Sequence, residues 1–326
     1  MQFDRMRRRD VVALLGGALA WPFAASAREP VGNAVTPPRG ALDPRLTPAR
    51  VDIAAKHLAG TVDAQRFVDG QALEVVAAQT PLREAPSHDA PLLTEALRGE
   101  RVTIYDVNED GWAWGQLAAD GYVGYMPGAT LGAPGSGPTH KVASLRTFVY
   151  PGPSIKRPPA ATLSFGSRLA IARVEGTFAV TADGGFIPML HLVPVTAVET
   201  DFVTVAERFL GTPYLWGGKT SIGIDCSALV QLALDACGIA CPRDTDMQEQ
   251  ALGTALAPPY DVAALRRGDL MFWKGHVAIV RDSATLVHTN ATRHMAVAFE
   301  SIADTIARIR ATGHEVRTVR RLPLPS

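Results

Sequence analysis

Net charge is the first thing this sequence lacks: 32 lysines and arginines face 32 aspartates and glutamates over 326 residues. No basic excess points to nucleic acid as a partner, and no acidic tail points to a solvating role. Cysteine is scarce, with only Cys226, Cys237 and Cys241. An odd, small number makes no disulfide framework, and the spacing of Cys237 and Cys241 fits no common zinc site. That pair reads as small apolar side chains in a core, with a disulfide as the alternative. No metal motif, nucleotide loop or cofactor signature is visible. The apolar run from Val11 to Ala25 is too short for an ordinary membrane span. What the chain does have is length and 47% hydrophobic residues, enough for two or three domains with cores of their own.

The first 27 residues differ from the rest. Arg5, Arg7, Arg8 and Arg9 precede the apolar run, which ends in Ala25-Ser26-Ala27. This is the basic region, apolar region and small-residue cleavage site of an export signal, and Arg8-Arg9 resembles a twin-arginine signal. The expected location is periplasmic or secreted. A start placed too far upstream, with a cytoplasmic protein, is the alternative.

Residues 28–72 read as a Pro/Gly/Ala-rich linker followed by a short helix over Val51–Leu58. Residues 73–132 read as all-β, with short apolar runs such as Arg101–Tyr105, Trp112–Leu117 and Tyr122–Tyr125 punctuated by Glu109-Asp110-Gly111 and Asp120-Gly121. Such spacing predicts a small barrel. Pro81-Leu82-Arg83, Gly99–Val102, Gly111-Trp112 and Gly121–Gly124 resemble a bacterial SH3-like domain. Residues 139–196 repeat the pattern more weakly and predict a second barrel of the same kind. Residues 201–322 mix helical and strand text. The fold class is therefore α+β, with two small SH3-like β-barrels before the domain that carries the chemistry.

Leu229, Leu232, Ala233 and Ala236 recur at helical spacing after Asp225-Cys226-Ser227, and Gly238 ends the run. The spacing predicts a helix with Asp225 as N-cap and Cys226 at its first position. There the helix dipole and unpaired N–H groups favour a thiolate and can hold an oxyanion. Further on, Leu270–Trp273, His276–Val280 and Thr285–His288 read as strands. A three-residue loop at Arg281-Asp282-Ser283 would set Val280 opposite Ala284 and His276 opposite His288. Both imidazoles would then share one face, one to deprotonate the thiol and one to orient the first. His294 is a weaker candidate, and the other histidines read as surface or structural.

Pro213–Gly218, Asp225–Ala228, Pro242–Gln248, Arg267–Trp273, Gly275–Val280 and Leu286–His288 resemble, in combination, the NlpC family of papain-like cysteine peptidases. The resemblance implies cleavage between γ-D-glutamate and a diamino acid in peptidoglycan stem peptides, without a cofactor. It implies Cys226 as nucleophile, His276 as base, His288 as orienting group and Tyr214 as a hydroxyl holding substrate or oxyanion. Where the family usually has glycine, Ala228 follows Asp-Cys-Ser. Two SH3-like units before such a domain resemble the dipeptidyl-peptidase VI type of endopeptidase, whose first SH3-like domain caps the groove and selects a free N-terminal L-Ala. The resemblance then implies Glu95 as the carboxylate for that amine and either Tyr122 or Tyr125 completing the cap. Asp225, Ser227, Asp244 and Thr245 fall at further substrate-contacting positions, while Thr245 and Gln248 also spell a helix capping box. An acyltransferase or amidase on the same scaffold is the rival reading, and a non-catalytic wall-binding protein the rival outside enzymes.

Overall fold

The computed structural model describes residues 42–323. The signal-like segment and the start of the expected linker lie outside them. The rest of that linker, residues 42–72, is packed structure. Ala54–Ala55 pairs in parallel with Phe67–Val68, and the expected helix shrinks to one 3-10 turn, Lys56–Leu58. Ile53, Ala54 and Ala55 are fully buried. An apolar triplet of this kind gains more by packing on a neighbouring sheet than by helix formation in water. Ile53 packs with Trp114 and Val123, and the Arg50 guanidinium lies 4.5 Å over the Trp114 ring.

The SH3-type unit contains a seven-stranded antiparallel sheet. Its order is Leu92–Leu97, Gln79–Arg83, Val123–Pro127, Trp112–Leu117, Arg101–Val107, Gln71–Val75 and Leu131–Gly132. Alternate residues such as Leu73, Val75, Leu82, Val102, Ile104 and Leu117 fill its core. The pairing does not close into the expected barrel, because the two end strands do not meet. One of them, Leu92–Leu97, is instead covered by the C-terminal domain, and a covered edge needs no barrel closure. A Cβ on Gly217 would lie 2.6 Å from the Leu92 carbonyl oxygen, so this seam requires glycine there.

Residues 140–194 form three small antiparallel sheets around Val142, Leu163, Leu169, Ala179, Ile187 and Leu192. They also do not close into a single barrel.

The C-terminal domain holds a six-stranded antiparallel sheet in the order Thr254–Ala255, Thr318–Arg321, Leu270–Trp273, His276–Val280, Thr285–Thr289, Val297–Ser301. Four helices accompany it: α1 (Phe202–Glu207), α2 (Cys226–Ala236), α3 (Thr245–Ala251) and α4 (Ile302–Arg310). Leu229, Ala233, Phe272, Val277, Ile279 and Val287 share the core under α2. Met271, Trp273, Val280 and Leu286 meet Ile302 of α4 on the other side. The helix α2 begins as the sequence predicts, with Asp225 accepting the Ala228 N–H at 2.8 Å. It stops at Gly238, whose φ is +73°.

The hairpin after His276 differs from expectation in an instructive way. Val280 pairs with Leu286 and Ile279 with Val287, not Val280 with Ala284. The Arg281 N–H bonds the Thr285 carbonyl, so the loop is Asp282-Ser283-Ala284. Asp282 decides this by accepting the Ala284 N–H at 3.0 Å. Moving a three-residue loop by one position shifts the pairing by two. His276 and His288 are therefore diagonal neighbours rather than directly opposite, and still share a face.

Candidate active site

Cys226 occupies the first turn of α2 and is buried. The backbone N–H of Val277, the residue after His276, points at its sulfur, as does that of Ser227. These N–H groups favour a thiolate, yet burial and the neighbouring Asp225 charge outweigh them and push the thiol up to about 12. Burial likewise holds His276 down at about 3 and His288 at about 4. These shifts favour a neutral thiol beside a neutral imidazole, a pairing that needs a base at the moment of attack.

The two imidazoles are joined. His276 Nε2 lies 2.9 Å from His288 Nδ1, and Trp273 flanks His276 at 5.8 Å between ring centroids. His288 is completed by a residue the sequence reading missed: its Nε2 lies 3.0 Å from Glu300 Oε2. Glu300 is opposite Leu286, two positions from Ala298, which is opposite His288. Parity along Val297–Ser301 is thus the signal that could have found it. His294 stands outside, 4.0 Å from Glu300.

Asp225 anchors the head of α2. Its Oδ1 accepts from Ala228 N, Ser227 Oγ and Arg243 Nη1, and its Oδ2 from Gly217 N and Arg243 Nη2. Arg243, also missed, is buried and bonds Ser227 Oγ at 2.8 Å and Thr94 Oγ1 of the SH3-type unit at 2.7 Å. It lies inside a motif read from the sequence, but nothing local marks an arginine for burial. Lys219 forms a second buried link across the same seam, 3.0 Å from Glu100.

The remaining candidates divide. Tyr214 hydrogen-bonds through its N–H to Met295 O at 2.7 Å, and burial together with the Cys226 and Asp225 charges pushes its phenol well above the usual range. Glu95 is buried at the seam, where its Oε2 accepts the Lys219 N–H at 2.9 Å and its Oε1 the Gln79 side chain at 3.0 Å. Burial raises its carboxyl against those bonds and the Arg243 and Lys219 charges. Tyr122 donates to Asp244 Oδ2 at 3.0 Å, and Arg45 donates to the same oxygen at 2.8 Å. Tyr125 is not part of this group: its hydroxyl accepts from Arg50, among Asp52 and Asp106. The capping box is not formed either. Asp244 is the N-cap of α3 and makes no side-chain cap bond, Thr245 is already helical, and Gln248 donates instead to Ser227 O and Pro242 O. Cys237 and Cys241 are free thiols, each only partly buried.

Comparison with known proteins agrees with this layout. The profile of the bacterial dipeptidyl-peptidase SH3 domain matches residues 82–131, and that of the NlpC/P60 family matches residues 211–314. A Bacillus cereus protein named gamma-D-glutamyl-L-lysine dipeptidyl-peptidase is 28% identical over 232 residues, covering 61% of this chain and 67% of that protein. A solved NlpC/P60 family structure from Bacillus cereus shares the fold, with a TM-score of 0.65 at 22% identity, over 78% of this chain and all (100%) of that one. An Escherichia coli protein named "Probable endopeptidase NlpC" is 33% identical over 115 residues, which is 31% of this chain and 71% of that protein. With that degree of identity over most of a short relative, and the family profile lying on the segment from Gly211 to His314, the chain belongs to the NlpC/P60 family.

Proposed function

We propose that this protein is a cysteine endopeptidase that hydrolyses the γ-D-glutamyl–diamino acid bond of peptidoglycan stem peptides bearing a free N-terminal L-Ala. The observation that carries the reading is the seating of the strand Leu92–Leu97 against the head of α2, through Glu95 to Lys219 N and Arg243 to both Thr94 and Asp225. A peptidase that counts residues from a free end needs a wall at a fixed distance from its nucleophile. The name of the Bacillus cereus relative supports the same chemistry.

In this reading His276 takes the Cys226 proton as the sulfur attacks the γ-carbonyl carbon. With Nε2 bound to His288, the nitrogen left for that proton is Nδ1. The oxyanion faces the Cys226 N–H at the start of α2 and the Tyr214 hydroxyl. The amine leaves with the proton from His276, and water then hydrolyses the thioester. Glu95 receives the L-Ala ammonium, and the Tyr122–Asp244 contact lies across the same pair of domains, with Thr245 next to it. Burial disfavours the charged form of Glu95, and an arriving cation offsets that cost.

The second β unit is read as a second SH3-type domain. Each unit ends in proline, a 3-10 turn and a short strand: Pro127, Gly128–Thr130, Leu131–Gly132 in one, and Pro188, Met189–His191, Leu192–Pro194 in the other. The signal-like residues 1–27 support export to the periplasm or beyond.

The test is digestion of L-Ala-γ-D-Glu-diaminopimelate with and without an N-acetyl group, followed by mass detection. Acetylation removes the ammonium and leaves a buried carboxylate unpaired. The specificity constant should fall by at least about 10²-fold, and Glu95→Gln should narrow the gap between the two peptides. Equal cleavage of both would describe an open groove and a general wall hydrolase.

A further inference from the structure

We propose that Glu300, gripped by Arg308, is a positioning residue that sets the hydrogen pattern of the histidine pair and so decides which nitrogen of His276 is free to take a proton. The proposal rests on the reading of His276 as the base.

Glu300 is buried at the end of the chain of contacts. Arg308 of α4 donates to it with two nitrogens, Nε to Oε1 at 3.0 Å and Nη2 to Oε2 at 2.8 Å, and Arg293 Nη1 reaches Oε1 at 3.2 Å. With these partners the carboxyl is held at about 2, and an ionised carboxylate only accepts. His288 Nε2 must therefore carry the hydrogen of the 3.0 Å bond to Glu300. A neutral imidazole then has a bare Nδ1, which can only accept from His276 Nε2–H across 2.9 Å. His276 is left with a lone pair on Nδ1. Remove the carboxylate and nothing enforces this order. His288 can then carry its hydrogen on Nδ1, His276 answers with a bare Nε2, and its hydrogen sits on the nitrogen meant to accept the thiol proton.

Charge acts in the same place. When His276 is protonated, the positive charge is countered by Glu300 and opposed by Arg308, with His288 and His294 as the other titratable neighbours and Arg293 the other fixed cation. The two members of the ion pair should thus move the histidine titration in opposite directions.

The experiment uses the full-length protein and compares Glu300→Gln, Arg308→Gln and His276→Ala. Glu300→Gln should lower kcat by about 10²-fold, the scale of general-base catalysis, with KM changed little. Nitrogen-15 spectra of the ring nitrogens should show hydrogen on Nε2 of both histidines in the wild type and a mixture in Glu300→Gln. In Arg308→Gln, where the carboxylate loses its main cation, the acid limb of kcat/KM should move up by about one pH unit. Wild-type kcat and ring spectra in Glu300→Gln, or an unmoved limb in Arg308→Gln, would overturn the proposal. If Glu300→Gln does not fold, the limb of Arg308→Gln decides alone, since that side chain lies on α4 with 26% of its surface exposed. An active His276→Ala would remove the site reading itself. An inactive His276→Ala beside unmoved Glu300 and Arg308 variants removes only the present proposal.

Discussion

Cys226→Ala should lose hydrolysis of the free-amine peptide by about 10⁴-fold or more while keeping the wild-type fold. Alanine is the best helix former and suits the first turn of α2. The N-cap does not depend on the sulfur, because Asp225 bonds Ala228 N and Gly217 N directly. Circular dichroism and the melting curve should therefore match the wild type within a few degrees while turnover vanishes. Cys237→Ala and Cys241→Ala should keep most activity, since Cys237 sits at the far, C-terminal end of α2 and the Cys241 sulfur bonds the Pro242 carbonyl. Residual turnover in Cys226→Ala comparable to wild type, or its loss in either of the others, would move the nucleophile elsewhere.

Arg243→Met should destabilise the protein by about 3–5 kcal/mol, the cost of removing one partner from a buried ion pair. The arginine has 1% of its surface exposed and is, among the described residues, the sole cation bonding Asp225. Methionine fills much of the volume but leaves the Asp225 charge buried with only N–H and hydroxyl donors. Urea denaturation followed by tryptophan fluorescence reads the loss, and kcat should fall with it because the head of α2 loses its tie. Adding Asp225→Asn to Arg243→Met should recover part of the stability, since the unpaired charge is gone. A single variant within about 1 kcal/mol of wild type would mean that the pair contributes little net stabilisation.

What the sequence disclosed follows the range of the physics involved. The helix start at Cys226 was legible because Asp225, Cys226 and the apolar positions after them lie within one local pattern. The shared face of His276 and His288 was legible because parity survives a two-residue shift, whereas the register was not, since Asp282 rather than Arg281 opens the loop. Arg243 was hidden because its burial depends on Thr94, far away in the chain. Glu300 was hidden because no local cue says which strand follows His288 in the sheet. Residues 42–72 resembled a linker and a short helix because their partners, Tyr105, Trp114 and Val123, lie farther along the chain.

The seam between the SH3-type unit and the C-terminal domain limits how this chain can be inherited. Lys219 with Glu100, Arg243 with Thr94, and Gln231 with Asp120 each place half of a polar contact on either side. A gene exchange that brought in a foreign SH3-type unit would leave Lys219 buried in the seam without the Glu100 charge, and Arg243 without its Thr94 contact. Change at Glu100 has to be answered at Lys219, two positions recorded far apart in the gene yet subject to one selection.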